Sequence, residues 1–331
     1  MLDNLKEYML NFGYQDSDII EIIGDYSLRN YKDNLLDKIE KINTYLLKFY
    51  TKKEIIRMTK SLPSLYSYSI ENLTKKNNDL IELGYTKEDI IKMTRIVPIL
   101  YSHSIETIKM KITDLIELGY TKEEILKMTK FFPPLYSLSI DNIKEKINDL
   151  IKLGYSKEEI LKMTKKHPSL YGRDVDSIKQ RITDLISLGY TKKEILKITI
   201  DLPTLYGLSL DNIKNKITDL ISLAYSKEEV LKMTKSLPVL FNLTILKIKE
   251  KIDFYKEYNL EFLILNDTKR LMQSIELTYA RLMYFKDNNI LIDEFNYSKL
   301  FQSNQRFLSQ FKISKDELLS LYPYLEKDKT L

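Results

Sequence analysis

The sequence predicts an all-α protein, an α-solenoid of either hand built from helix, proline turn and helix, and three observations carry that reading. Proline falls at Pro63, Pro98, Pro133, Pro168, Pro203 and Pro238, a constant interval of 35 residues. A tyrosine opens each unit at the same interval, at Tyr50, Tyr85, Tyr120, Tyr155, Tyr190 and Tyr225. A Ser or Thr followed three places on by an acid recurs with them, and that pair marks a helix N-terminus. A fixed period of this size means stacked supersecondary units that share their cores with neighbours. The expected organisation is a degenerate N-terminal capping repeat over 1–49, six repeats over 50–258 and a C-terminal helical cap over 259–331, in one continuous solenoid domain.

In the capping unit, Gly13-Tyr14 matches the later Gly-Tyr links, and Asp16 to Ile23 reads as a short helix. Leu35, Leu36, Ile39, Ile42, Leu46 and Phe49 follow helical spacing. Each full repeat then starts a helix at a capping pair: Thr51 with Glu54, Thr86 with Asp89, Thr121 with Glu124, Ser156 with Glu159, Thr191 with Glu194 and Ser226 with Glu229. That helix must stop before its proline, because the residue preceding a proline is pushed out of the α region. The Pro-x-Leu-Tyr/Phe that follows is expected to be a tight apolar 3₁₀ turn. A second helix opens at Ser69, Ser104, Ser139, Asp174, Ser209 or Thr244, with Ile140, Ile143, Ile147, Leu150 and Ile151 as an apolar stripe in one copy. Gly84, Gly119, Gly154 and Gly189 supply left-handed stops, and Ala224, in the place of a fifth glycine, predicts a less sharp turn. Ser314 with Glu317 is one more capping pair before Pro323.

Composition narrows the chemistry. There is no cysteine and there are two histidines, which removes disulfides, thiol nucleophiles and cysteine zinc sites. The balance of 52 basic and 47 acidic side chains leaves a net charge of +5, below a usual nucleic-acid footprint. The N-terminal stretch carries Asp3, Glu7, Asp16 and Asp18 and lacks an apolar signal core or an arginine-rich presequence, so a cytoplasmic location is expected. No run is long enough to span a bilayer. A catalytic site should break the repeat symmetry, and the breaks are His103, and His167 with Arg173 and Asp174. His167 stands where other repeats carry Leu, Val or Phe and reads as a substituted core or rim residue, so no enzyme activity, cofactor or metal is expected.

Leu62-Pro63-Ser64-Leu65-Tyr66, Val97-Pro98-Ile99-Leu100-Tyr101, Leu202-Pro203-Thr204-Leu205-Tyr206 and Leu237-Pro238-Val239-Leu240-Phe241, with the links Leu118-Gly119-Tyr120 and Leu153-Gly154-Tyr155, resemble the mitochondrial transcription termination factor (mTERF) repeat family. The likeness covers about residues 50 to 258, and more loosely 281 to 285. It implies a half-open helical superhelix that binds nucleic acid, chiefly duplex DNA and in some members RNA.

Charge repeated along a stack makes a stripe able to neutralise successive phosphates. Two columns in the second helices are the candidate nucleic-acid contacts: Lys76, Lys111, Lys146, Arg181, Lys216 and Lys251, and beside them Lys109, Lys144, Lys179, Lys214 and Lys249. They flank the apolar stripe on opposite sides, so at most one faces a central groove, and the unbroken first column is preferred. A third column, Arg57, Lys92, Lys127, Lys162, Lys197 and Lys232, is explained in four repeats by an acid four residues earlier, as Glu123 before Lys127. Variable positions such as Lys75, Met110, Glu145, Gln180, Asn215 and Glu250 read as drifting surface sites. The expected function is non-enzymatic nucleic-acid binding by a monomer, duplex DNA first and RNA second, with a possible role in transcription termination. The alternative is a scaffold that holds a protein or peptide in its groove.

Overall fold

A computed structural model describes residues 2–31 and 34–324. Among the described residues the structure is helical and contains no strand. The chain divides into two compact units, Met1–Lys179 and Gln180–Leu331, and each is a stack of the same helix, 3₁₀ turn, helix module.

The local chemistry acts as the sequence requires. All six capping boxes form at the starts of Lys52–Ser61, Lys87–Ile96, Lys122–Phe131, Lys157–Lys166, Lys192–Asp201 and Lys227–Ser236, hereafter the first helices. In each box the hydroxyl accepts the N3 amide while the N3 carboxylate accepts the cap amide, satisfying two otherwise orphaned donors. The residue before each proline leaves the helix, as Leu62 does at φ −141°, and proline opens a 3₁₀ turn such as Pro63–Ser67. The second helices, Ile70–Leu83, Ile105–Leu118, Ile140–Leu153, Val175–Leu188, Leu210–Ile221 and Ile245–Glu257, begin where expected. Glycine ends them for two reasons at once. Gly119 has φ +113°, and a Cβ built there would lie 3.1 Å from Leu161 Cδ1 of the next module. At Ala224 the substitution does alter the turn: the helix stops at Ile221 and Ala224 is carried to φ +72°.

The module continues beyond the prolines. Asp16–Gly24, Tyr26–Tyr31 and Leu35–Leu46 repeat its order at the N-terminal end, as do Phe262–Asn266, Thr268–Met272 and Ile275–Asp287 near the other end. The capping box at Ser314 also forms, at the start of Lys315–Leu321.

Modules are joined by apolar packing and by a buried hydroxyl triad that sequence reading did not identify. Tyr120 OH lies 2.5 Å from both Thr164 Oγ1 and Tyr171 OH of the next module. Tyr14 with Thr59 and Tyr66, Tyr50 with Thr94 and Tyr101, and Tyr85 with Thr129 and Tyr136 repeat the arrangement. Each of these threonines also donates back to the carbonyl four residues earlier, so the buried oxygens are satisfied. Burial drives the phenol pKa values upward, far above the ordinary range at Tyr85 and Tyr120. The apolar stripe is narrower than expected. Ile143, Ile147 and Leu150 are buried, but Ile151 is 45% exposed because it lies past the edge of the seam.

Candidate nucleic-acid interface

The structure gives the unbroken lysine column an internal job. Lys111 Nζ donates to the Leu138 carbonyl at 2.6 Å, and Arg181 Nη2 to the Leu208 carbonyl at 2.5 Å. Lys76, Lys216 and Lys251 donate in the same way to the carbonyls of His103, Leu243 and Gln273. Each of these carbonyls immediately precedes the N-cap of the following second helix. A stem buried along the module seam delivers the charged head to a backbone acceptor that has no helical partner. Burial lowers the pKa of Lys76, Lys111 and Lys251. Lys146 is partly buried and forms no such bond. Five of the six cations in this column thus each have a donor committed within the stack. Arg281 extends the pattern, donating to the carbonyls of Leu300 and Gln302 from a fully buried position.

The second column is different. Lys109, Lys144, Lys179, Lys214 and Lys249 are all exposed, and Lys179 pairs with Asp176 at 2.8 Å. The second helices together carry 15 basic and 16 acidic side chains.

The positive charge is on the other layer. The first helices carry 20 basic and 11 acidic side chains. Arg57, Lys92, Lys127, Lys162, Lys197 and Lys232 are all exposed there. The expected pairing with the acid four residues earlier is not made by Lys92, Lys127 or Lys232 among the described residues. The reason is visible at Glu123, whose carboxyl is held low by its own backbone amide and then by the Thr121 hydroxyl. The positive end of the helix attracts it away from the lysine.

The remaining acids on this layer are already engaged. Glu54, Asp89, Glu124 and Glu194 complete capping boxes and also receive Arg95, Lys130, Lys165 and Lys235 from the next module, at 2.7 to 3.0 Å. Lys60 meets Asp18 in the same way at 2.6 Å. Between the helices Lys52–Ser61 and Lys87–Ile96 is an open cleft of about 790 Å³ lined by Lys53, Arg57, Lys60 and Arg95, with Glu54 its single acid. Arg57 Nη2 is oriented by the Arg95 carbonyl at 3.0 Å.

The symmetry-breaking histidines each meet a serine hydroxyl. His167 Nε2 is 2.9 Å from Ser169 Oγ and its ring is edge-on to Phe131, while His103 Nε2 is 3.3 Å from Ser137 Oγ. Burial lowers both pKa values. Among the described residues no cluster of three His, Asp or Glu is placed to hold a metal, and no helix is long and apolar enough to cross a membrane.

No curated protein matches the chain. The mTERF family model matches it twice, over residues 2–152 and 141–262, so both the proline-bearing repeats and the N-terminal module fall within the match. With matches over most of its length and six successive helix, proline turn, helix modules, this chain belongs to the mTERF family, whose helical-repeat members bind nucleic acids without enzymatic activity.

Proposed function

We propose that the protein binds duplex nucleic acid, DNA in the first instance, through the exposed face of its first helices. The single observation that supports this most is the charge asymmetry between layers: 20 basic against 11 acidic side chains on the first helices, 15 against 16 on the second. Arg57, Lys92, Lys127 and Lys162 in one unit contact phosphates, one per module, as do Lys197 and Lys232 within the other, and the cleft at Lys53 and Arg57 receives backbone. The reading thus moves the contact from the lysines of the second helices to this third column. Phosphate contacts give affinity and register but carry no base information, so sequence preference comes from duplex shape or from a few exposed neighbours such as Ile96 and Phe131. The role is non-enzymatic, and tight placement on a duplex suits regulation of transcription, including termination.

A salt titration tests it. For Z neutralised phosphates the log–log slope of affinity against salt is about −0.9Z on B-DNA and about −0.7Z on a single strand. The four contacts of the first unit alone give about −3.6 and about −2.8 respectively. Binding that is absent at low salt, or insensitive to salt, contradicts the proposal.

A further inference from the structure

The second helices carry a surface that nucleic-acid binding on the first helices leaves unused. Near the end of the first five is an isoleucine exposed by 38–48%: Ile81, Ile116 and Ile151 in one compact unit, Ile186 and Ile221 in the other, while the sixth carries Lys256. Two helical turns earlier, on the same face, are Thr74, Lys109, Lys144, Lys179 and Lys214, all exposed. Between the rows runs a third, of Asn78, Thr113, Asn148, Thr183 and Thr218.

One exposed isoleucine needs no explanation. A row of them recurring in five successive repeats is an apolar ribbon, and such ribbons mark docking surfaces. The adjacent exposed column changes freely through Lys75, Met110, Glu145, Gln180 and Asn215, whereas this row is isoleucine in all five modules. Isoleucine offers nothing to a phosphate, and the second helices carry 15 basic against 16 acidic side chains, without the excess of basic groups found on the first helices.

We propose that this face docks an amphipathic α-helix of a partner protein, with carboxylates along one edge of its apolar stripe. The geometry matches in both directions. Along each second helix the lysine and isoleucine rows are seven residues apart, about 10.5 Å, which is the 10–12 Å breadth of an α-helix. Across the stack, packed helices are about 8–10 Å apart. One heptad of the partner rises about 10.5 Å. A helix laid across the modules therefore brings one apolar side chain per heptad to Ile81, Ile116 and Ile151, and one carboxylate to Lys109 and Lys144. The polar Asn and Thr row lies beneath its middle.

The test uses the full chain and a synthetic 24-residue helical peptide with one Leu and one Glu per heptad on adjacent edges, alongside its counterpart with Lys for Glu. Fluorescence anisotropy should show saturable binding of the acidic peptide and at least tenfold weaker binding of the basic one. The double variant Ile116→Ser, Ile151→Ser should lose at least tenfold for the acidic peptide with duplex DNA affinity unchanged. Lys109→Glu with Lys144→Glu, at exposed positions that leave the core intact, should reverse the preference between the two peptides. No binding, equal binding of the peptides, or an acidic peptide indifferent to both variants overturns the proposal. Because DNA affinity is read separately, its loss or absence bears on the first-helix face alone.

Discussion

Lys111 Nζ donates to the backbone carbonyl of Leu138, 2.6 Å away and 27 residues along the chain. Only 9% of Lys111 is exposed, while its neighbour Lys109 two residues earlier is in solvent. Two lysines on one helix thus do different work, one closing a module seam and one free to meet a ligand. Lys111→Met keeps the stem and removes the donor, orphaning a buried carbonyl at a cost of about 1–3 kcal/mol. Lys109→Met should change stability by no more than about 0.5 kcal/mol. Urea denaturation of the two variants checks the contrast, and equal losses would refute it.

The hydroxyl triad makes a second difference measurable. Tyr120 bonds two hydroxyls of the next module, whereas Tyr190 meets Thr234 at 2.6 Å and the sequence carries Phe241 in place of the third hydroxyl. Tyr120→Phe should cost about 1–2 kcal/mol and Tyr190→Phe about half as much, since one fewer bond is lost. A Tyr120→Phe, Thr164→Val double-mutant cycle should show coupling of at least about 0.5 kcal/mol. Additive losses would mean that the triad is incidental to packing.

The link between modules can be tightened or broken at one atom. Gly119→Ala places a Cβ at φ +113° and 3.1 Å from Leu161, so a loss of about 1–3 kcal/mol is expected. Ala224 already has φ +72° without glycine. Ala224→Gly should therefore be neutral or stabilising by up to about 1 kcal/mol. Melting curves that show both glycine exchanges to be destabilising would contradict the assignment of Ala224 as a strained stop.

Acid should weaken the seams between first helices. The Lys165 ammonium, then the Thr121 amide, hold the Glu124 carboxyl below its usual 4.5. The Thr191 amide, then Lys235, do the same for Glu194, and the Thr51 amide leads at Glu54. A carboxylate whose folded pKa is depressed adds stability that is fully present above its unfolded pKa and is lost as pH falls through the folded value. The urea midpoint should stay level from neutral pH to about 5 and decline below about 4.5. The triple variant Glu54→Gln, Glu124→Gln, Glu194→Gln should start lower and decline less. An unchanged acid slope would mean that other carboxylates carry it.

The module's outline was legible because its signals are local. Thr121 and Glu124 cap each other three residues apart, Pro133 stops the helix beside it, and Gly119 turns the chain at its own φ. What stayed hidden joins residues 27 to 51 positions apart, such as Lys111 to Leu138 and Tyr120 to Tyr171. Helical spacing tells which side of a helix is buried but not which neighbour it meets. A trace was present nonetheless: Thr59, Thr94, Thr129, Thr164, Thr199 and Thr234 recur at a core-facing position where an apolar residue is the simpler choice. The charge asymmetry was also open to a count taken helix by helix. Whole-chain charge of +5 concealed it because a total does not say which helices carry the excess.

The central claim is that the first helices hold nucleic acid, and reversing charge on that face tests it most directly. Duplex DNA is titrated by fluorescence anisotropy from about 50 to 200 mM salt against the wild-type chain, Lys92→Glu with Lys127→Glu, and Lys109→Glu with Lys144→Glu. The wild type should bind with a steep salt slope of at least about −3.6. The first variant should lose at least tenfold in affinity together with about two units of slope, since two contacts at about −0.9 each are removed. The second should bind nearly as the wild type does. Equal affinity of the first variant and the wild type, or a larger loss in the second, would contradict the assignment of the face.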